Sequence, residues 1–350
     1  MKKKIIWITL AVLLVAGLVV AWIAYEKIFR SNTNSAIKKE AVIYLPSNGN
    51  IQNLYDTLQK KNILNDFSSF KMLAEYKGLN EKYKPGRYII TAGMSNNAMI
   101  NMFLSGRQSP IRITFNNVRL REDLAKKLGP KLECGEQALL DVLKDEALAK
   151  KYGLTKDNFM VIFIPNTYEV FWTVKPKEFV ERMHGEWKKF WTEERKKKAE
   201  EIGLSPAEIT ILASIVKGET NKTDEMDEIA GLYINRLKKG WKLEADPTVK
   251  FAVGDPTLTR VLKKHLETES PYNTYLHEGL TPGPINLPDI VVIDKVLNYA
   301  HHNYMFMCAK EDLSGYHNFA ETNAQHEANA AKYRVAYREW ARKKKAKEGK

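Results

Sequence analysis

Residues Ser205–Thr220 read SPAEITILASIVKGET, and this stretch decides the fold of the larger part of the chain. Ser205 can accept from the first free N–H groups of a helix. Pro206 suits the first helical position, where its missing N–H is not needed, and Glu208 completes a capping box. The residues that follow are mostly apolar, so the spacing predicts a helix from Ser205 to Thr220. Leu212, Ile215 and Val216 precede Glu219 by seven, four and three positions, which places them on its face of the helix. A carboxylate therefore points the way the apolar stripe points. Burial there disfavours ionisation and raises the pKa, which keeps a proton available for general-acid work near neutral pH. The alternative is a helix that frays at Gly218 and turns Glu219 to solvent.

Downstream, a second helix is predicted from Asp224 to Lys239, ended by Gly240 and buried through Ile229, Leu232, Tyr233 and Leu237. Asp246-Pro247-Thr248 opens a short helix, with Asp246 as its cap and proline at the first position. Residues 271–275 (PYNTY) and 279–286 (GLTPGPIN) read as loops rich in aromatic, amide and proline residues. Such loops suit sugars, by ring stacking and amide hydrogen bonds, and they equally make rigid turns. Upstream, Pro176 to Glu201 reads as one long charged helix buried through Met183, Trp187, Phe190 and Trp191, and Phe163 to Glu169 as a turn. A strand at 110–115 and a helix at 119–128 begin a connecting α+β subdomain, residues 109–160. Before it come a strand at 41–46, helices at 50–62 and 66–77, a strand at 86–91 and a helix at 94–104. The order strand, helix, helix, strand over residues 41–108 resembles a LysM-like module, a small glycan-binding fold.

The N-terminus speaks to compartment. Ile5 to Ala24 is an uncharged, mostly apolar run behind Lys2, Lys3 and Lys4, long enough as a helix to cross a bilayer. Trp7, Trp22 and Tyr25 lie near its ends, where amphipathic rings favour the interface. Without a convincing small-x-small cleavage site, residues 1–30 read as a retained signal anchor. The three lysines would then be cytoplasmic and the remainder outside the cytoplasmic membrane. Ser31 to Lys39 (SNTNSAIKK) is polar and aperiodic and reads, with residue 40, as a linker. The net charge of +13 favours a polyanionic neighbour such as an anionic membrane or cell-envelope polymer. It is diffuse and carries no nucleic-acid-binding motif, so a nucleic-acid partner is not expected. Cys134 and Cys308 read as free, buried thiols in preference to a disulfide, which export would also allow. No H-E-x-x-H, Cys ligand spacing, Gly-rich phosphate loop or G-x-S-x-G elbow occurs, so neither a metal nor another cofactor is expected.

Leu212 to Thr220, Asn235-Arg236-Leu237, Asp246-Pro247-Thr248, Tyr272 to Tyr275, Gly279 to Ile285 and Asn318-Phe319 between His317 and His326 occur in an order that resembles the YceG-like family. The resemblance covers nearly the whole chain. It implies an α+β protein: one transmembrane helix, the LysM-like module, and a mainly helical α+β catalytic domain over 161–345. It implies a lyase that cuts peptidoglycan glycan strands internally, with penicillin-binding proteins and other cell-wall synthesis proteins as partners. Glu219 falls on the family's catalytic glutamate, which protonates the leaving oxygen and then serves as base toward the sugar's own primary hydroxyl. Substrate contacts are implied at Asn235, Arg236, Asp246, Thr248, Tyr272, Asn273, Thr274, Tyr275, Gly283, Asn286 and His317. Two positions depart from the family. Lys217 replaces a frequent second glutamate and, at about 200° around the helix from Glu219, should face away from it. Asn166 stands in a Pro-Asp-Thr-Tyr turn, keeping the turn and losing the charge. Two rivals stand beside this reading: a non-catalytic peptidoglycan-binding scaffold, and a glycoside hydrolase using Asp246 or Glu244 as a second carboxylate.

Overall fold

A computed structural model describes residues 2–255 and 257–348. The chain divides into two compact units: residues 1–113 with 131–134 and 169–175, and residues 114–130, 135–168 and 176–350.

The first unit begins with α1 (Lys2–Phe29), an exposed helix with a mean hydropathy of 2.7 over its most apolar window. It is long and apolar enough to cross a membrane. Strand β1 (Glu40–Leu45), helices α2 (Ile51–Lys60) and α3 (Phe67–Tyr76), strand β2 (Gly86–Thr91) and helix α4 (Asn96–Ser105) follow. β1 and β2 pair antiparallel from Glu40 opposite Thr91 to Leu45 opposite Gly86. Alternation sends Ile43, Leu45, Tyr88 and Ile90 inward, against Leu54, Leu58, Phe70 and Phe103 of the helices. Each helix has a local reason to start: Asn50, Asp66 and Ser95 each accept from a backbone N–H of the first turn. The polar segment expected as a linker is pinned into this unit instead. Asn32 donates to Asn96 Oδ1 (2.7 Å) and to the Asp66 carbonyl, and accepts from the Asp66 N–H. Its side-chain amide is thus bonded on both sides, which makes its burial at 6 % exposure affordable.

Strands β3 (Ile111–Phe115) and β4 (Asn166–Val170) pair with each other. β4 occupies the position expected as a turn: Asn166 starts a strand, and Tyr168 is buried, its hydroxyl donating to the Ile164 carbonyl (2.7 Å).

In the second unit, α5 (Arg121–Leu128), α6 (Gly135–Leu143) and α7 (Glu146–Lys151) precede α8 (Pro176–Phe190) and α9 (Glu193–Ile202). The long charged helix expected over 176–201 is therefore two helices. Thr192 caps the second of them by accepting from the Arg195 N–H, and a new helix start ends the old one. α10 (Pro206–Glu219) has the expected capping box, Ser205 with Glu208. Its burial is not a stripe, because every residue from Ile209 to Val216 is buried. It is the central helix of this unit, packed against α11 (Met226–Lys238) and α14 (Ile290–Leu297). Between those two lie α12 (Asp246–Val253) and the short α13 (Lys263–Leu266). Strands β5 (Phe306–Ala309) and β6 (His317–Ala320) form an antiparallel hairpin, with Cys308 opposite Asn318 and Ala309 opposite His317. α15 (Asn323–Glu348) packs on it, with His326 stacked on Phe306 at 5.5 Å between ring centroids. Among the described residues neither cysteine forms a disulfide, and both are half-buried.

Candidate active site

Glu219 is the last residue of α10, and Thr220 behind it is extended at φ −145°. The helix does not fray at Gly218, because Gly218 is clamped: a Cβ there would lie 2.6 Å from Pro247 Cβ. This contact presses the end of α10 onto the start of α12, so Glu219 and Asp246 line one cavity of about 220 Å³. Tyr233 of α11 donates its hydroxyl to Glu219 Oε1. Burial pushes the Glu219 carboxyl up to about 7, and the Asp246 carboxylate adds to the rise. Tyr233, Lys250 and Arg236 pull the other way and lose. The Tyr233 phenol is itself pushed well above its ordinary value by burial and by Glu219, so it remains a donor. With Oε1 occupied by that donor, the carboxyl's own proton belongs on Oε2.

Asp246, Tyr275, His317, Arg236 and Glu244 face the same cavity. Asp246 is exposed to it, and its Oδ1 accepts from the Tyr275 hydroxyl at 2.8 Å. Asp246 is the first residue of α12, preceded by Ala245, and does not cap it. Its carboxylate is therefore free for Tyr275. Burial and Asp246 together raise the Tyr275 phenol far above its usual range. His317 on β6 hydrogen-bonds through Nδ1 to Glu225 Oε1 at 3.0 Å, and its backbone N–H reaches Oε2 at 3.1 Å. Glu225 is only 4 % exposed, so the pair fixes the imidazole and leaves Nε2 as its free edge. Arg236 completes the group from α11.

The remaining positions expected to touch substrate are framework. Asn235 donates to the carbonyls of His302 and Tyr304. Thr248 and Thr274 are fully buried and bonded to each other and to Ala245. Asn273 holds the carbonyls of Leu266 and Thr268, and Tyr272 packs on Phe251 at 4.7 Å. Gly283 lies where a Cβ would come within 1.9 Å of the Asp157 carbonyl oxygen. Asn286 donates to the Ser214 carbonyl while Ser214 accepts from the Ile285 N–H, which ties the proline-rich loop to α10. These residues hold the loops in place and do not line the Glu219 cavity. Lys217 turns away from Glu219 to Asp289 at 2.7 Å, as its helical angle requires.

Sequence reasoning passed over Tyr233, which reads as one more core residue of α11, and Glu225, which reads as a helix-start carboxylate. The available signal for Tyr233 was its hydroxyl. A phenol in a buried stripe needs an acceptor, and the nearest unexplained acceptor was Glu219. As a chemical device, the site offers a carboxyl half-protonated near neutral pH that can give a proton and take one back.

The sequence profile of the YceG-like family matches residues 43–332. The chain is similar to the endolytic murein transglycosylase of Bacillus subtilis, 26% identical over 83% of this chain and 84% of that protein. It is also similar to the endolytic murein transglycosylase of Streptococcus pneumoniae, 22% identical over 85% of this chain and 59% of that longer protein. The crystal structure of a YceG-like protein of Listeria monocytogenes shares the fold, with a TM-score of 0.54 at 22% identity over 83% of this chain and 99% of the other. With most of its length matched by that profile, the chain belongs to the YceG-like family.

Proposed function

We propose that the chain is a membrane-anchored lytic transglycosylase that cleaves peptidoglycan glycan strands internally, with Glu219 as acid and then base. The observation that carries this reading is the Glu219 carboxyl, held near pKa 7 and bonded to Tyr233, on a cavity shared with Asp246, Tyr275 and His317. The names of the Bacillus and Streptococcus relatives support the same reading. α1 would hold the chain in the cytoplasmic membrane with the rest outside, on the side where the glycan and the penicillin-binding proteins are found. The β1-α2-α3-β2 unit is read as the LysM-like, glycan-binding part.

In this mechanism Oε2 gives its proton to the leaving glycosidic oxygen as the C1–O bond breaks. The carboxylate that results is steadied by Tyr233 and by the charge of Arg236. It then takes the proton of the muramyl sugar's primary hydroxyl, whose oxygen closes on C1 to form the 1,6-anhydro ring. Glu219 ends as it began and no water is consumed. One group serves both steps because its pKa lies near the working pH and the nucleophile is part of the substrate.

The test is a digest of purified glycan strands by the full chain in detergent micelles, with products weighed. Anhydro-ended fragments, each one water lighter than hydrolysis products, are expected. Reducing ends would replace the lyase by a hydrolase, and binding without cleavage would leave a scaffold. Asp246→Asn separates the two chemistries further. It removes the charge that raises Glu219, so the pH at which the rate falls should drop by up to about one unit, with a modest loss at pH 7. A loss as large as that of Glu219→Gln would make Asp246 the second carboxylate of a hydrolase.

A further inference from the structure

A second cavity, of about 300 Å³, lies on the other side of the Gly218–Pro247 contact. Gly218 and Pro247 line it, while their chain neighbours Glu219 and Asp246 line the first. The walls of the second include Val118, Pro247 and Ile285. The Leu287 N–H donates to the Val118 carbonyl at 2.8 Å and holds the walls together. Three cations border it. Lys217 is neutralised by Asp289 at 2.7 Å. Lys250 donates to the Thr259 carbonyl at 3.3 Å, and its charge also acts on Glu219. Arg119 forms no ion pair with a carboxylate among the described residues. Arg119 donates Nη2 to the Lys250 carbonyl at 2.7 Å and lies 5.3 Å over the Phe251 ring, so its guanidinium is fixed without being neutralised. Asn286 also lines the cavity, and its Oδ1 is buried without a partner among the described residues.

A neutral sugar gives no reason for a fixed, unneutralised guanidinium beside apolar walls. A short peptide with small side chains, a free carboxylate and amide N–H groups matches each of these features. We infer that this second cavity binds the acidic stem peptide carried by the sugar at the cleavage point, with Arg119 pairing to its carboxylate. The enzyme would thereby read whether a strand still bears peptides. This rests on Glu219 marking the point of glycan cleavage.

The full chain in detergent micelles should cleave peptide-bearing strands with a lower KM than strands stripped of peptide. Arg119→Gln should raise KM about tenfold on peptide-bearing strands, the worth of one charge-assisted hydrogen bond, and leave stripped strands unchanged. Arg119→Lys should recover part of the loss. Equal KM values on the two strands, or the same change on both, would overturn the inference. A binding arm keeps it apart from the lyase reading. Titration with a muramoyl dipeptide should show binding that amidation of its carboxylates and Arg119→Gln both weaken, whether or not any strand is cut. Competition by poly(glycerol phosphate) with no binding of the muramoyl peptide would assign the cavity to a phosphate polymer instead and overturn the proposal.

Discussion

Glu219→Gln is expected to reduce strand cleavage by about 10³-fold or more while making the protein more stable above neutral pH. The first effect follows from losing the carboxyl that gives and retakes the proton. The second follows from linkage. The Glu219 pKa is about 7 in the fold against 4.5 for an ordinary glutamate. A raised pKa means that the folded state holds a proton which the unfolded chain has released. The glutamate's contribution is therefore intact below about pH 4.5, declines as pH rises, and is fully lost once pH passes 7. Glutamine, with the same shape and no charge to desolvate, escapes that loss and still accepts from Tyr233. At pH 8 the variant should gain about 3 kcal/mol, the value of the shift at ~1.4 kcal/mol per pKa unit, and at pH 4 the two proteins should melt together. Thermal melts across pH 4–8 beside the digest check both halves. A variant that loses activity without the pH-dependent gain would mean that Glu219 is ionised in the fold, unfit to act as the acid.

Much of this was legible in the chain. Local signals wrote most elements directly: Ser205 with Glu208 for α10, Asn50 and Asp66 for α2 and α3, and alternating Tyr88 and Ile90 for β2. Where a local signal was weak, the reading failed. Thr192 is an unremarkable N-cap inside a charged, periodic run, so two helices read as one. Asn166 begins a strand only because β3 is there to pair with it, and strand pairing is non-local. The site divides the same way. Glu219 was visible as a carboxylate on an apolar helix. Its partners come from α11, α12 and the hairpin, and which motif residues face the cavity depends on loop packing. Thr248, Asn273 and Thr274 have the chemistry of sugar ligands, yet they spend it on backbone and on one another.

Arg236→Met should cost about 3–5 kcal/mol of stability and loosen the hairpin that carries His317. Arg236 is 7 % exposed, and its guanidinium donates to the carbonyls of Met305 (2.8 Å), Lys242 (3.2 Å) and Leu243 (2.9 Å), besides pairing with Glu244 at 3.1 Å. The ion pair is the smaller part of this. Glu244 is half exposed, so solvent screens the pair, and Glu244→Gln should cost less than about 1 kcal/mol. The larger part is the set of buried carbonyls that methionine cannot satisfy, each left dry without a donor. One of them belongs to Met305, immediately before β5, so the loss should concentrate in the hairpin. Hydrogen exchange at Phe306–Ala309 should accelerate more than exchange in α10. Arg236 also lowers the Glu219 pKa, so in whatever folded protein remains, the alkaline fall in cleavage should move to higher pH. If Glu244→Gln cost as much as Arg236→Met, the ion pair and not the backbone carbonyls would hold the hairpin. His317 and its partner Glu225 would then owe their placement to a surface charge instead of to the buried end of α11.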